Sequence, residues 1–153
     1  MTTKTSKSSK TSLRNITKII VHCTATPEGE DFTVAQIRQW HLARGFKDIG
    51  YHWVIYRDGS VHKGRDEAVV GAHTSGHNSG SIGVCYVGGC DLRSNKNWSK
   101  TPRDTRTSQQ KESLLKLLAE LKSRYPKAKI YGHRDFAAKA CPSFDAASEY
   151  SSL

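Results

Sequence analysis

The spacing of apolar positions changes period several times along the chain, and each change marks an element. Lys18-Ile-Ile-Val-His-Cys23 is a short β-branched run followed by the turn-like Thr26-Pro-Glu-Gly29, which predicts a buried strand closed by His22. Thr33-Val-Ala-Gln36 then has the form of a capping box. Val34, Ile37 and Trp40 follow at threefold spacing, and Gly45 supplies the stop, predicting a helix over one face of a sheet. His52-Trp-Val-Ile-Tyr56 returns to strand formers, and Arg57-Asp-Gly-Ser60 reads as the turn of a hairpin into Val61-His-Lys63.

The second half repeats this alternation. Ser81 to Val87 is an apolar strand ending in Gly88-Gly89, and the polar, basic stretch from Asp91 to Arg106 predicts a mobile loop. Thr107-Ser-Gln-Gln110 is a second capping box, after which Leu114, Leu117, Leu118 and Leu121 draw one helical stripe that stops near Pro126. Lys129-Ile-Tyr-Gly-His133 is a last short strand, followed by an Ala-rich loop, Cys141-Pro142 and a short terminal helix. Strands alternating with helices, plus one hairpin, predict an α/β fold: a single domain with a central mixed β-sheet flanked by α-helices.

Composition narrows the setting. A chain of 153 residues is long enough for one core without disulfide support. No run approaches the ~20 apolar residues of a membrane span, and MTTKTSKSSKTSLRN lacks the apolar stretch of a secretory signal, so synthesis in the cytoplasm without a signal peptide is expected. The net charge is +10, and Lys4, Lys7, Lys10, Arg14 and Lys18 precede the first acid, Glu28. This predicts a disordered basic tail over 1–15 and a folded domain over 16–153. The charge suits an anionic partner such as nucleic acid, an acidic membrane or a cell wall. No aromatic-basic RNA signature and no Cys/His finger spacing is present, so nucleic acid is not expected. The four cysteines, at 23, 85, 90 and 141, are irregularly spaced, which favours free thiols or metal ligation over disulfides.

The candidate chemistry lies at strand ends. His22 and His133 each end an apolar run and open a loop, and Cys141 follows His133 by eight positions. Two imidazoles and a thiolate would leave zinc a fourth, open position, the mark of a catalytic ion. Spacing alone leaves alternatives open. His22 can be a hydrogen-bonded core residue, His133 a surface residue and Cys141 a small buried hydrophobe. A cysteine nucleophile with a histidine base, from Cys141 and His133 or from His22 and Cys23, is a further alternative.

Several segments together carry a resemblance: Val21-His-Cys-Thr-Ala-Thr26, Gly50-Tyr-His-Trp53, Arg57-Asp-Gly59, Gly64-Arg-Asp66, Gly71-Ala-His73, Asn78, Ser81-Ile-Gly-Val84 and Lys139-Ala-Cys-Pro-Ser-Phe144. In these the chain resembles the zinc N-acetylmuramoyl-L-alanine amidases of the small phage-lysozyme and peptidoglycan-recognition type, from about Ile16 to about Ala146. The resemblance implies one Zn2+ held by His22, His133 and Cys141, with Tyr51 and Lys139 as catalytic residues. It places Arg65, His73 and Asn78 along the substrate groove, and gives no ligand role to His41, His52, His62 or His77. It implies hydrolysis of the amide between N-acetylmuramic acid and L-alanine in peptidoglycan by a monomeric phage or prophage endolysin acting on the cell wall after release. The alternatives are a non-catalytic recognition module, known in the wider family where the zinc cysteine is lost, and a delivered wall-degrading effector.

Overall fold

The computed structural model describes residues 14–153. The expected tail therefore lies outside the described residues except for Arg14 and Asn15. Arg14 is tied down: its guanidinium donates to the carbonyl oxygens of Glu67, Asn78 and Ser81 at 2.8, 3.0 and 2.9 Å.

Among the described residues seven strands form two sheets. The main sheet comprises β1 (Lys18–Cys23), β3 (Trp53–Ile55), β4 (Val61–Lys63), β5 (Ser81–Tyr86) and β7 (Lys129–Gly132), in the order β4-β3-β5-β1-β7. All neighbours are parallel except the β3–β4 hairpin, so the sheet is mixed. Its helices are α1 (Val34–Ala43), α2 (Ser108–Arg124) and the short α3 (Ala146–Glu149). Both anticipated capping boxes form: Thr33 with Gln36 begins α1, and Thr107 with Gln110 begins α2. Gly45, just past α1, takes φ +94, where a side chain would be strained.

Successive side chains of a strand point to opposite faces, and that alternation sorts the sheet. Ile19, Val21 and Cys23 of β1, with Ile82, Val84 and Tyr86 of β5, share the large core with the Leu114, Leu117, Leu118 and Leu121 stripe of α2. The other face packs Val54 against Ile37 of α1 and Ile49. His22 belongs by alternation to this second face, beside Cys85, its register partner on β5.

The stretch from Asp91 to Arg106 is more ordered than a polar, basic sequence suggests. A second sheet pairs β2 (Thr26–Pro27) with β6 (Gly89–Cys90), and Trp98–Lys100 forms a 3-10 turn. At its end Arg106 is buried, ion-paired to Asp104 and Glu149 at 2.9 Å each, with its guanidinium 3.5 Å above the Phe144 ring. These contacts fasten the segment after Cys141 to the body of the domain. The buried Glu67 carboxylate accepts hydrogen bonds from Trp53 Nε1, Arg124 Nη2 and the Tyr125 hydroxyl, all at 2.7 Å. It pins the 64–80 loop, which borders the site, to β3 and α2.

Candidate active site

His22 arrives at the carboxyl end of β1, and His133 directly follows β7, the neighbouring parallel strand. Parallel neighbours end on the same edge, where side chains from separate strands converge. The loop after His133 turns back so that the Arg134 N–H donates to the Cys141 carbonyl at 2.7 Å. As a result the ligand-capable atoms of His22, His133 and Cys141 lie within 4.8 Å of one another. The Cys141 sulfur is 3.8 Å from His22 Nδ1 and accepts a hydrogen bond from the Cys23 N–H at 3.2 Å. All four cysteines are free.

His133 and Cys141 of this group line a groove of about 610 Å³ that is also bordered by Tyr51, Asn78 and Lys139, with His22 buried behind them. The Tyr51 ring lies 5.1 Å from that of His22 and 5.3 Å from that of His41. Its position is set by His41, whose Nδ1 accepts the Gly50 N–H at 2.8 Å. Lys139 is exposed on the loop between His133 and Cys141.

Electrostatics favour metal-competent forms of these groups. Burial first, then the neighbouring His73, His133 and Lys139, hold His22 well below the ordinary histidine range, so its ring is neutral. Burial and the Lys139 charge lower His133 in the same way. Its shared hydrogen bond with Cys23, and then burial, raise the Cys141 thiol well above its usual value. Such a thiol ionises when a cation is supplied, and the Cys23 N–H is already aimed at the sulfur that would carry the charge. Two neutral imidazoles and one thiol are the donor set of a zinc site with an open position. Burial likewise pushes the Tyr51 phenol far above its normal range, keeping it a protonated hydrogen-bond donor.

The remaining expected groove residues are placed differently from one another. Asn78 lines the groove, and its side-chain oxygen accepts the His73 and Thr74 N–H groups at 2.9 Å each. His73 also borders the groove, but it is largely buried and turned against His22, with 2.8 Å between His73 Nδ1 and His22 Nε2. Arg65 does not border the groove. Its guanidinium is spent on the carbonyl oxygens of Ile49, Val70 and Asp48 at 2.9, 2.8 and 3.2 Å, clamping the Asp48–Tyr51 segment to the following loop. Sequence reasoning missed the His22–His73 contact, the Cys23 N–H and the Glu67 cluster. Of these, only the Gly71-Ala-His73 and Ser81-Ile-Gly83 segments offered a signal.

Two other histidines have structural positions with a measurable consequence. His41 and the fully buried His52, whose Nδ1 accepts the Gly83 N–H at 3.0 Å, are both brought down to about 4 by burial. Both stay neutral in the fold, whereas an unfolded chain protonates them near pH ~6.5. Their stabilisation is present above pH ~6.5 and is lost as pH falls from there towards 4. The midpoint of thermal unfolding of chelator-treated protein is therefore expected to drop steadily from pH 7 to pH 4.5. A flat or rising midpoint over that interval would contradict these assignments.

Fold and site together define an α/β domain with two histidines and one cysteine, a group that could hold a metal ion, at the carboxyl edge of a mixed sheet. The chain belongs to the N-acetylmuramoyl-L-alanine amidase family, whose model matches residues 12–144. It is 47% identical over 135 residues to an endolysin of Enterobacteria phage K11, covering 88% of this chain and 85% of that one. Among solved structures it resembles the N-acetylmuramoyl-L-alanine amidase LysC from Clostridium intestinale, with TM-score 0.73 and 29% identity over 90% of this chain and 83% of that chain. It also resembles Drosophila PGRP-LB, with TM-score 0.72 and 26% identity over 92% of this chain and 82% of that chain. No helix among the described residues is long and apolar enough to cross a membrane.

Proposed function

We propose that the chain is a zinc-dependent N-acetylmuramoyl-L-alanine amidase of the endolysin type, in which His22, His133 and Cys141 hold one ion. The observation that carries this reading is the convergence of those three ligand atoms within 4.8 Å beside a groove bordered by Tyr51 and Lys139. When bound, zinc supplies Lewis acidity towards the amide carbonyl and a water whose pKa falls to about 7.

The other contributions belong to the chain. Hydrolysis adds the oxygen of water to the lactyl carbonyl carbon and releases the nitrogen as the amine of L-alanine. Between those states the carbonyl oxygen carries negative charge, and the Lys139 ammonium is the fixed positive charge at the groove that stabilises it. The protonated Tyr51 phenol donates a hydrogen bond to the reacting amide or the attacking water. Asn78 shapes the groove wall for the muramoyl-peptide, and Arg65 serves as a clamp behind it.

The substrate is peptidoglycan, an anionic polymer suited to a chain of net charge +10. The enzyme is made in the cytoplasm and acts on the wall, as a monomer, after release to it, with no nucleic-acid partner. A purely recognising module has no use for the complete ligand set together with Tyr51 and Lys139.

Chelation supplies the test. Lysis of a peptidoglycan suspension, followed by turbidity, is expected to stop when the metal is stripped and to resume when zinc is restored. Lysis that continues unchanged in the presence of chelator would contradict the zinc reading.

A further inference from the structure

The 2.8 Å contact between His22 Nε2 and His73 Nδ1 requires one ring to donate and the other to accept, and the choice decides whether His22 can bind a cation. His22 Nδ1 faces the ligand group, 3.8 Å from the Cys141 sulfur. If His73 donated, neutral His22 would carry its proton on Nδ1 and have no lone pair to offer there. If His22 Nε2–H donates, Nδ1 is free. We propose that His73 is a positioning residue that holds His22 in this metal-binding tautomer, and that it is not a substrate contact. The proposal rests on the reading of His22, His133 and Cys141 as zinc ligands.

The surroundings of His73 accommodate that direction of the hydrogen bond. Neutral His73 that accepts at Nδ1 carries its proton on Nε2, and Nε2 lies 3.3 Å from Ser81 Oγ. The Ser81 hydroxyl in turn donates to the Asn78 carbonyl oxygen at 3.4 Å, an oxygen that Arg14 Nη2 also holds at 3.0 Å. The Thr74 hydroxyl lies between the two rings, 2.9 Å from His73 Nδ1 and 3.3 Å from His22 Nε2. Donors therefore run one way, from His22 through His73 and Ser81 to a backbone carbonyl. His73 borders the groove, but both its nitrogens are used inside the protein and it is only 9% exposed, so neither nitrogen is free for a substrate.

The seat of the ring is written in two glycines. A Cβ on Gly83, in the middle of the fully buried β5, would lie 2.7 Å from His73 Cγ and Cδ2. A Cβ on Gly71 would come within 2.8 Å of His73 Cδ2. Glycine within a buried strand weakens it, and here its effect is to let an imidazole lie close against the backbone behind a ligand. Partners of this kind raise the basicity and fix the orientation of metal-binding histidines, and their loss costs about 10–100-fold in metal affinity.

The test is zinc affinity, measured by competition with a chromophoric chelator, beside the circular dichroism and thermal midpoint of the metal-free proteins. His73→Phe keeps a ring between Gly71 and Gly83 but removes the acceptor, and is expected to bind zinc about 10–100-fold more weakly than wild type. His73→Gln, whose amide oxygen can accept from His22 Nε2–H, is expected to recover most of that loss. Where the Phe variant does not fold, His73→Ala is read in its place, with the same expectation. Zinc affinity equal to wild type in the folded Phe or Ala variant would overturn the proposal, as would an equal loss in the Gln variant. Wild-type protein that binds no zinc would instead overturn the ligand reading on which it rests.

Discussion

Replacing Cys141 with serine is expected to reduce lysis of purified sacculi to background and to abolish stoichiometric zinc binding, with the circular dichroism of the folded domain retained. The substitution keeps a small polar side chain but removes the thiol, the one group of the proposed three that would ionise to an anionic ligand on binding a cation. Its surroundings also lose their purpose. The Cys23 N–H, 3.2 Å from the sulfur, is placed to support a charged ligand, and a neutral hydroxyl makes little use of it. The fold should persist because Cys141 is only half-buried at the edge of the main core, while the neighbouring Phe144 and Ala146 carry the packing there. Zinc bound at wild-type stoichiometry by Cys141→Ser would contradict the assignment. Activity that also survived chelation would favour chemistry without a metal.

Lys139→Ala is expected to behave differently: zinc bound as in wild type, but turnover lower by ~10²–10³, the usual cost of losing one group that stabilises an oxyanion. Lys139 is exposed and lies two residues before Cys141 on the same loop, so its removal leaves no cavity and no unpaired buried group. Its charge reaches the ligands, since it is among the influences that depress both His22 and His133. Truncation should therefore ease protonation of those two rings slightly, and zinc binding at low pH should become a little more sensitive to acid. Equal metal loss in Lys139→Ala and Cys141→Ser would show that Lys139 serves the ligand loop and not the reaction.

What could be read from the sequence was local. The capping boxes at Thr33 and Thr107, the hairpin through Asp58-Gly59 and the leucine stripe of α2 each specify structure within a few residues, and all appear where the pattern placed them. The sheet order depends on parallel pairing of β1 with β5 and β7, strands far apart in the chain, and the pattern carried only the fold class. The two-residue strands β2 and β6 escaped for a similar reason. Thr26-Pro27 and Gly89-Cys90 have no strand signature of their own, and only their parallel register makes them a sheet. Arg106 looked like one more charge in a basic loop, because its partners Glu149 and Phe144 lie about forty positions further on.

The site divides in the same way. Spacing could not separate a zinc ligand set from a cysteine nucleophile or from ordinary core residues, and the resemblance in motifs singled out His22, His133 and Cys141. The structure adds their proximity. It also moves Arg65 from the expected groove into a backbone clamp, since every carbonyl its guanidinium reaches belongs to the protein itself. His73 could not be understood from sequence because its partner, His22, lies 51 positions earlier and on another element. Histidine type alone does not distinguish a ring that touches substrate from one that holds a ligand.

A metal-dependent groove that cleaves one particular amide leaves its record in the products. Mass spectrometry of sacculi digested in 18O-enriched water tests it most directly. Stem peptides with a free L-alanine amine and glycan fragments with one 18O atom in the lactyl carboxyl group are expected, and neither should form in the presence of chelator. New glycan reducing ends, or cleavage within the stem peptide, would contradict it.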